Sequence, residues 1–193
     1  IKVFIEYGIL SDDKFAEKAK KFLLFKNTKN EYNTVADYIE KVKVLQTNKD
    51  KKTVILYTHD AEAHHSFIEK AESKSYDVII LDSPLSSHVI QKLEQEYQDV
   101  SFARIDSDTI EKLISKDEEI PSKLSKEDEE KIKPIIESQV AKEKFQVQFE
   151  SLNESDDPIQ ITQSEFMRRM MDMQKTGGGM MMGGMNDNMI MDN

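Results

Sequence analysis

The side chains best suited to chemistry in this chain are gathered near its end. All ten methionines of the 193 residues lie between Met167 and Met191. A thioether on an unbranched stem suits two tasks. It can ligate a soft monovalent metal such as copper(I), with Met180, Met181, Met182 and Met185 as candidates. Glycine spacers do not preorganise a coordination sphere, so no metal is expected. The other task is adaptive apolar contact, because methionine re-packs around unlike surfaces. The run from Phe166 to Gln174 reads Phe-Met-Arg-Arg-Met-Met-Asp-Met-Gln. At about 100° per residue, Phe166, Met167, Met170, Met171 and Met173 share an arc of about 160°, and Arg168, Arg169 and Asp172 fill the opposite side. This predicts an amphipathic helix with a wide apolar stripe. Such a stripe is ordinarily core. Here the glycine-rich run Gly177 to Met185 loses too much backbone entropy on ordering to form a lid, so the stripe is expected to stay open.

Other reactive groups are scattered. His64 and His65 are adjacent and would point about 100° apart on a helix, which predicts a solvated surface rather than a metal site. His59 could pair with Asp60 or Asp82, but the sequence places no nucleophile beside it. The absence of cysteine excludes disulfides and thiolate sites. Between Gly8 and Gly177 there is no glycine, which excludes a dinucleotide fingerprint or phosphate-binding loop over that span. A formal net charge of −10 argues against nucleic acid, whose phosphates require clustered cations. No apolar run approaches the roughly 18 residues of a membrane span. With no signal peptide at the start, no membrane partner and a cytoplasmic location are expected. Ile1 opens mid-pattern without an initiator methionine, which predicts a piece of a longer protein.

Periodicity supplies the elements that would carry these groups. Phe15, Ala19, Phe22 and Leu23 have helical spacing after a cap at Ser11 or Asp12, and Phe25 to Asn30 breaks that pattern. Thr34 caps a second helix that buries Val35, Tyr38, Ile39, Val42 and Leu45. The period then changes. Thr53–Thr58 and Asp77–Asp82 are continuous apolar, β-branched runs, as expected of parallel strands buried on both faces. Asp60 is placed to cap the helix between them, burying Ala63, Phe67, Ile68 and Ala71. Ser83 and Pro84 start the next helix, and Ser101–Asp106 is an amphipathic edge strand. Right-handed crossovers would join these strands in one small parallel sheet. Beyond a charged boundary around Pro121, a helix starts at Ser125, with Pro134 expected to kink or restart it. Phe145, Val147 and Phe149 alternate as a strand and Ile159 and Ile161 as its return, with Ser164 capping the methionine helix. The expectation is therefore an α/β chain, α+β overall. It has a helical segment at 1–48, a three-stranded α-β-α subdomain at 49–115, and at 116–193 a thin domain of helix, β-hairpin and amphipathic helix.

Two resemblances bear on function. Asp77 to Pro84 resembles the phosphoacceptor strand of response-regulator receiver domains, with Asp82 as acceptor, although Asp60 to Asp82 leaves no room for the strand that receivers insert there. The broader resemblance is to the heat-shock protein 90 chaperones in their bacterial form. Lys21–Thr28 is similar to the family's Leu-Leu-Arg-Phe/Tyr-x-Ser-Thr/Ser segment. Thr34–Lys43, followed by Gln46 and the strand Thr53–Thr58, resembles its Ser-Leu-x-Asp/Glu-Tyr-x-x-Arg-Met-Lys stretch, and is the most specific match. Met167–Gln174 looks like its Met-Glu-Arg-Ile-Met-Lys-x-Gln helix. The likeness covers essentially the whole chain. Leu24-Phe25-Lys26 lacks the usual arginine, and Asp172 stands where a lysine is common.

The resemblance implies the end of the middle domain and the start of the C-terminal domain of an ATP-dependent, homodimeric chaperone. ATP with magnesium, the catalytic arginine and the dimer helices would lie in other parts of the parent. The fragment would then be no enzyme and hold no cofactor, its partners being unfolded or partly folded client proteins. By motif, Phe166, Met167, Met170, Met171 and Met173 occupy the family's client-contacting helix. A signal-peptide-binding module, which also uses methionine-lined grooves, is the alternative from another class. Such proteins carry a GTPase and a basic RNA-binding surface, and this sequence shows neither.

Overall fold

The computed structural model describes residues 2–116, 124–141, 145–149, 158–162 and 165–176. In chain order the elements are α1 (Lys2–Ser11), α2 (Asp13–Ala19), β1 (Leu24–Lys26), β2 (Tyr32–Thr34), α3 (Val35–Lys43), β3 (Thr53–Thr58), α4 (His65–Ser73), β4 (Val78–Ile80), α5 (Ser86–Glu96), β5 (Val100–Arg104), α6 (Ile110–Leu113), α7 (Lys126–Glu137) and α8 (Glu165–Thr176). They fall in two compact units. One holds residues 2–116 together with 162 and 165–176, and the other holds 124–141, 145–149 and 158–161.

The first unit is built on a three-stranded parallel sheet of order β4-β3-β5. All six residues of β3 are buried, as the continuous run Thr-Val-Ile-Leu-Tyr-Thr requires of a central strand covered on both faces. One face, with Ile55, Tyr57, Ile79 and Phe102, packs against α1, α2, α3 and α5. The other, with Val54, Leu56 and Val78, packs against α4 and α6. The α/β architecture read from the sequence is therefore the one formed, with β5 at an edge as expected. The helices before residue 48 share the sheet's main core. Gly8 lets α1 approach α2, since a Cβ there would lie 2.6 Å from the Phe15 ring.

Local chemistry sets the element ends. Asp12 Oδ1 accepts from the amides of Lys14 and Phe15 at 2.8 and 3.0 Å, and Thr34 Oγ1 from that of Asp37 at 3.2 Å. Ser125 caps α7 in the same way. These are the side-chain oxygens favoured at helix starts. Other boundaries differ from expectation. Asp60 Oδ1 accepts from Glu62 N and Ala63 N, both at 3.0 Å, but this caps a turn, and α4 begins only at His65. That shift leaves Ala63 exposed and buries His64 to 8% exposure, correcting the solvated surface predicted for it. Ser83 Oγ accepts from Leu85 N at 3.2 Å, so α5 starts two residues after Pro84. α7 runs on through Pro134.

Phe25 to Asn30, a break by periodicity, contains a hairpin. β1 and β2 pair antiparallel, joined through Asn27, whose Oδ1 accepts from Lys29 N and Glu31 N. Asn30 takes φ 64°, a left-handed conformation that asparagine tolerates. The hairpin that was predicted, further along the chain, does not form among the described residues. Phe145–Phe149 and Pro158–Ile161 carry no strand, and Phe145, Ile159 and Ile161 are exposed. Alternation yields a strand only where a surface exists to bury one face, and an isolated two-stranded hairpin is marginal in water. The expected turn at Asn153–Asp157 and the cap at Ser164 lie outside the described residues.

A polar knot joins α3 and the following loop to the sheet. Buried Gln46 donates through Nε2 to Val54 O at 2.8 Å and accepts from Asp77 N at 2.6 Å. Asp77 also accepts from Tyr38 Oη and Asn27 Nδ2, both at 3.2 Å, and pairs with Lys41 at 2.8 Å. Burial and the Asp77 carboxylate push the Tyr38 hydroxyl well above its usual range, so it remains a donor. Replacing Gln46 with leucine keeps the volume but strands one buried acceptor and one buried donor. The expected loss of unfolding free energy is about 2–4 kcal/mol, measured by urea denaturation. A loss below about 0.5 kcal/mol, the scale of an ordinary surface change, would remove this knot from the determinants of the fold.

Candidate functional site

The methionine helix, α8, is placed by its charged face. Glu165, Arg168 and Arg169 follow the i, i+3, i+4 spacing that puts side chains side by side on a helix. Glu165 Oε1 accepts from Arg168 Nη2 at 2.7 Å and from Arg169 Nε at 2.6 Å. The same three residues reach the first unit's sheet. Tyr57 Oη on β3 donates to Glu165 Oε1 at 2.7 Å and accepts from Arg168 Nη2, whose guanidinium sits 5.4 Å from the Tyr57 ring centre. Arg169 forks onto Glu94 of α5 at 2.7 and 3.2 Å and donates to Phe102 O on β5. Glu165 Oε2 accepts from Arg104 N at 3.2 Å. A bidentate, charge-assisted arrangement of this kind is among the stronger polar contacts available.

Electrostatics fix the protonation of the set. Burial alone would raise the Glu165 carboxyl, but hydrogen bonds from Arg169 and Arg168 outweigh it and hold the group below its usual range. Burial and the Glu165 charge push the Tyr57 hydroxyl up despite Arg168, so it stays protonated and serves as the donor. Burial would lower Arg169, yet Glu94 and Glu165 raise it, so the guanidinium remains charged.

Two side chains of the predicted stripe are exposed. Met170 and Met171 are 43% and 44% exposed, and Met173 is half-buried. Phe166 and Met167 lie on the same helix, with side chains outside the described residues. Arg168, in contrast, is 6% exposed. Of the described side chains, Arg168 is therefore the buried one and Met170 and Met171 are the exposed ones. Sequence reasoning assigned Arg168 and Arg169 to the plain polar side and missed their anchoring role. The signal was the Glu-x-x-Arg-Arg spacing, which reads as an intrahelical ion-pair set. Its partners Tyr57, Glu94, Phe102 and Arg104 are distant in sequence.

The remaining candidates sit elsewhere. His64 Nδ1 lies 2.9 Å from Thr58 Oγ1 and its Nε2 lies 3.4 Å from Asp106. Burial lowers this imidazole against the opposing pull of Asp106. His59 stacks edge-on against it at 5.0 Å. Asp82 is held by Lys2 at 2.6 Å. Among the described residues no group of three or more His, Asp or Glu is placed to hold a metal ion, and no helix is long and apolar enough to cross a membrane. Met180, Met181, Met182 and Met185 lie outside the described residues.

Comparison with known proteins gives this arrangement its context. The family model described as "Hsp90 protein" matches residues 2–192. The chain belongs to the Hsp90 protein family, a class of molecular chaperone. Among its curated relatives is chaperone protein HtpG of Porphyromonas gingivalis, 40% identical over 183 residues, covering 93% of this chain and 27% of the relative. HtpG of Bacteroides thetaiotaomicron is 38% identical with the same coverage. The endoplasmin homolog of Dictyostelium discoideum is 27% identical over 138 residues, covering 68% of this chain and 16% of that protein. The chain thus spans about a quarter of the length of its HtpG relatives. Among solved structures, the middle domain of a Plasmodium falciparum heat shock protein aligns with a TM-score of 0.41 at 15% identity, over 54% of this chain and 44% of that one.

The anchor predicts a pH dependence. The unfolded Glu165 carboxyl takes up its proton near 4.5, and the folded one only at lower pH. Its contribution to docking α8 is therefore complete above that range and is lost as pH falls through the folded value. Amide protection along α8, relative to the intrinsic exchange rate at each pH, should fall over that interval. In Glu165→Gln this step should vanish, with protection low at every pH. An unchanged acid step in the variant would assign it to other carboxylates.

Proposed function

We propose that the chain is the client-contacting and scaffold segment of an ATP-driven, homodimeric chaperone, and that the methionine face of α8 holds unfolded or partly folded proteins. The observation that carries this reading is the inverted helix. Its guanidiniums are sequestered against the sheet while Met170 and Met171 are left 43% and 44% exposed. An ordinary core helix would do the reverse. Exposed methionines on a rigid backbone offer area that adapts to unlike sequences. Phe166, Met167 and Met173 extend the same face by helical register. Family membership and similarity to HtpG support the wider setting.

On this reading, the nucleotide and its magnesium bind elsewhere in the parent, as do the catalytic arginine and the dimerisation helices. The chain hydrolyses no ATP of its own. It carries the parent's rearrangement as a rigid α/β body, with residues 116–193 as the start of the C-terminal domain. This is an inference at the level of the fold.

The test is Met170→Ser with Met171→Ser. Both side chains are exposed, so helical content by circular dichroism should hold. Affinity for an unfolded client should fall about tenfold, the loss of roughly 1.4 kcal/mol expected from removing two partly exposed apolar contacts. A melted domain would make the stripe structural, and unchanged affinity would place client binding elsewhere.

A further inference from the structure

In a parallel pair, a strand's bonds to its neighbour involve alternate residues, and those between turn their polar groups to the other side. On β5 the groups turned to β3 include Asp99 O, which accepts from Thr53 N at 2.7 Å, and Ile105 N, which donates to Tyr57 O at 2.9 Å. Val100, Phe102 and Arg104 therefore face the outer edge. At its ends the chain closes on itself. Val100 N donates to Tyr97 O at 3.0 Å, and Arg104 O accepts from Ser107 N at 2.9 Å. Between these, beyond Val100 O, runs a set of three, Phe102 N, Phe102 O and Arg104 N, whose partners are side chains. Glu94 Oε1 accepts from the first at 2.8 Å, Arg169 donates to the second, and Glu165 accepts from the third.

We propose that the outer edge of β5 is a strand-addition site for an extended, unfolded polypeptide, covered in this structure by α8 and by the Glu94 side chain of α5, and opened when α8 lifts away and Glu94 swings off Phe102 N. Donor, acceptor and donor stand in a row at strand spacing. The complement is the acceptor, donor and acceptor of one extended backbone, which an unfolded chain presents and a folded surface does not. The covering contacts are charged side chains, each able to return to water. Glu94 then loses its Arg169 partner and gives up Phe102 N to the incoming strand, and its carboxylate favours a segment with cationic flanks. This proposal rests on the client-binding reading and adds to it a second, backbone-mediated contact.

The experiment uses the full chain with Glu165→Gln and Arg169→Gln together. These substitutions keep side-chain size while removing the charges that hold α8. The probe is a short peptide alternating valine and threonine between terminal lysines, and the control is the same peptide with proline in place of valine. Slow exchange at the amides of Ile55 and Leu56 in central β3 verifies that the sheet remains folded. The expected result is faster exchange at Arg104 N in the variant. Adding the valine peptide should then slow the amides of Phe102 and Arg104 at least tenfold, and the proline peptide should not. In the unsubstituted chain neither peptide should alter these amides. No peptide-dependent protection, equal protection by the proline peptide, or protection from self-association without peptide would each overturn the proposal. Such a failure would leave the methionine face untouched, since that face is read separately through Met170→Ser and Met171→Ser.

Discussion

A parallel sheet of three strands has one strand fully inside it and two edges to dispose of. That constraint organises the first unit. β3 is buried along its whole length, and its neighbours each turn a row of amides and carbonyls away from it. An open row is a liability, because any extended chain can pair with it. At β4 the row is met by backbone. Thr28 N donates to Val78 O at 2.9 Å, and Asn27 forms an antiparallel bridge with Ile79. The β1–β2 hairpin thus closes that side, and its buried Asn27 orders the turn that does so. At β5 the row is met by side chains from α5 and α8. One edge is sealed by the chain's own fold and the other by an ionic clamp.

The clamp explains why α8 lies with its charged face inward. Removing a guanidinium from water is expensive unless nearly every donor finds a partner. Three elements supply partners in one place: a carboxylate at Glu94 of α5, a carbonyl at Phe102 of β5 and a phenol at Tyr57 of β3. Glu165 completes the set by accepting from both arginines and from the Arg104 amide. Met170 and Met171 stay exposed. β5 already turns Val100 and Phe102 into the core beneath α5, so its edge offers polar atoms rather than apolar area. Orientation of the helix follows from what the edge lacks as much as from what it presents.

The strands were legible because their signal is local. Continuous runs such as Thr53–Thr58 encode burial on both faces without reference to anything remote, and the caps at Asp12, Thr34 and Ser125 are contained within a single turn. The hairpin at Leu24–Thr34 was not legible. Its strands are three residues each, too short for periodicity, and its stability comes from Asn27 and from contact with β4. Residues 145–149 erred in the other direction, since alternation was present and Val147 and Phe149 are half-buried, but no strand forms there. The same division runs through the site. The arc of Met170, Met171 and Met173 could be computed from helical geometry alone. The partners of Arg168 and Arg169 depend on Tyr57 and Glu94, brought close only once the sheet has formed, and no spacing rule connects residues so far apart. His64 failed similarly, because a helix starting four residues later than Asp60 suggests turns a different residue inward.

The methionine face and the β5 edge share a property that ties the proposed contacts together. Thioether packing adapts to the shape of whatever apolar side chain arrives, and backbone pairing reads the peptide unit common to every sequence. Neither requires a particular motif in the partner, as binding unlike polypeptides demands. They differ in what they ask of the helix. Side-chain capture needs α8 held firmly, with Met170 and Met171 projecting from a fixed base. Backbone pairing needs α8 gone from the edge it covers. The Glu165–Arg169–Glu94 clamp is therefore the point at which the two contacts exclude or succeed one another, and its strength sets which of them a bound chain meets first.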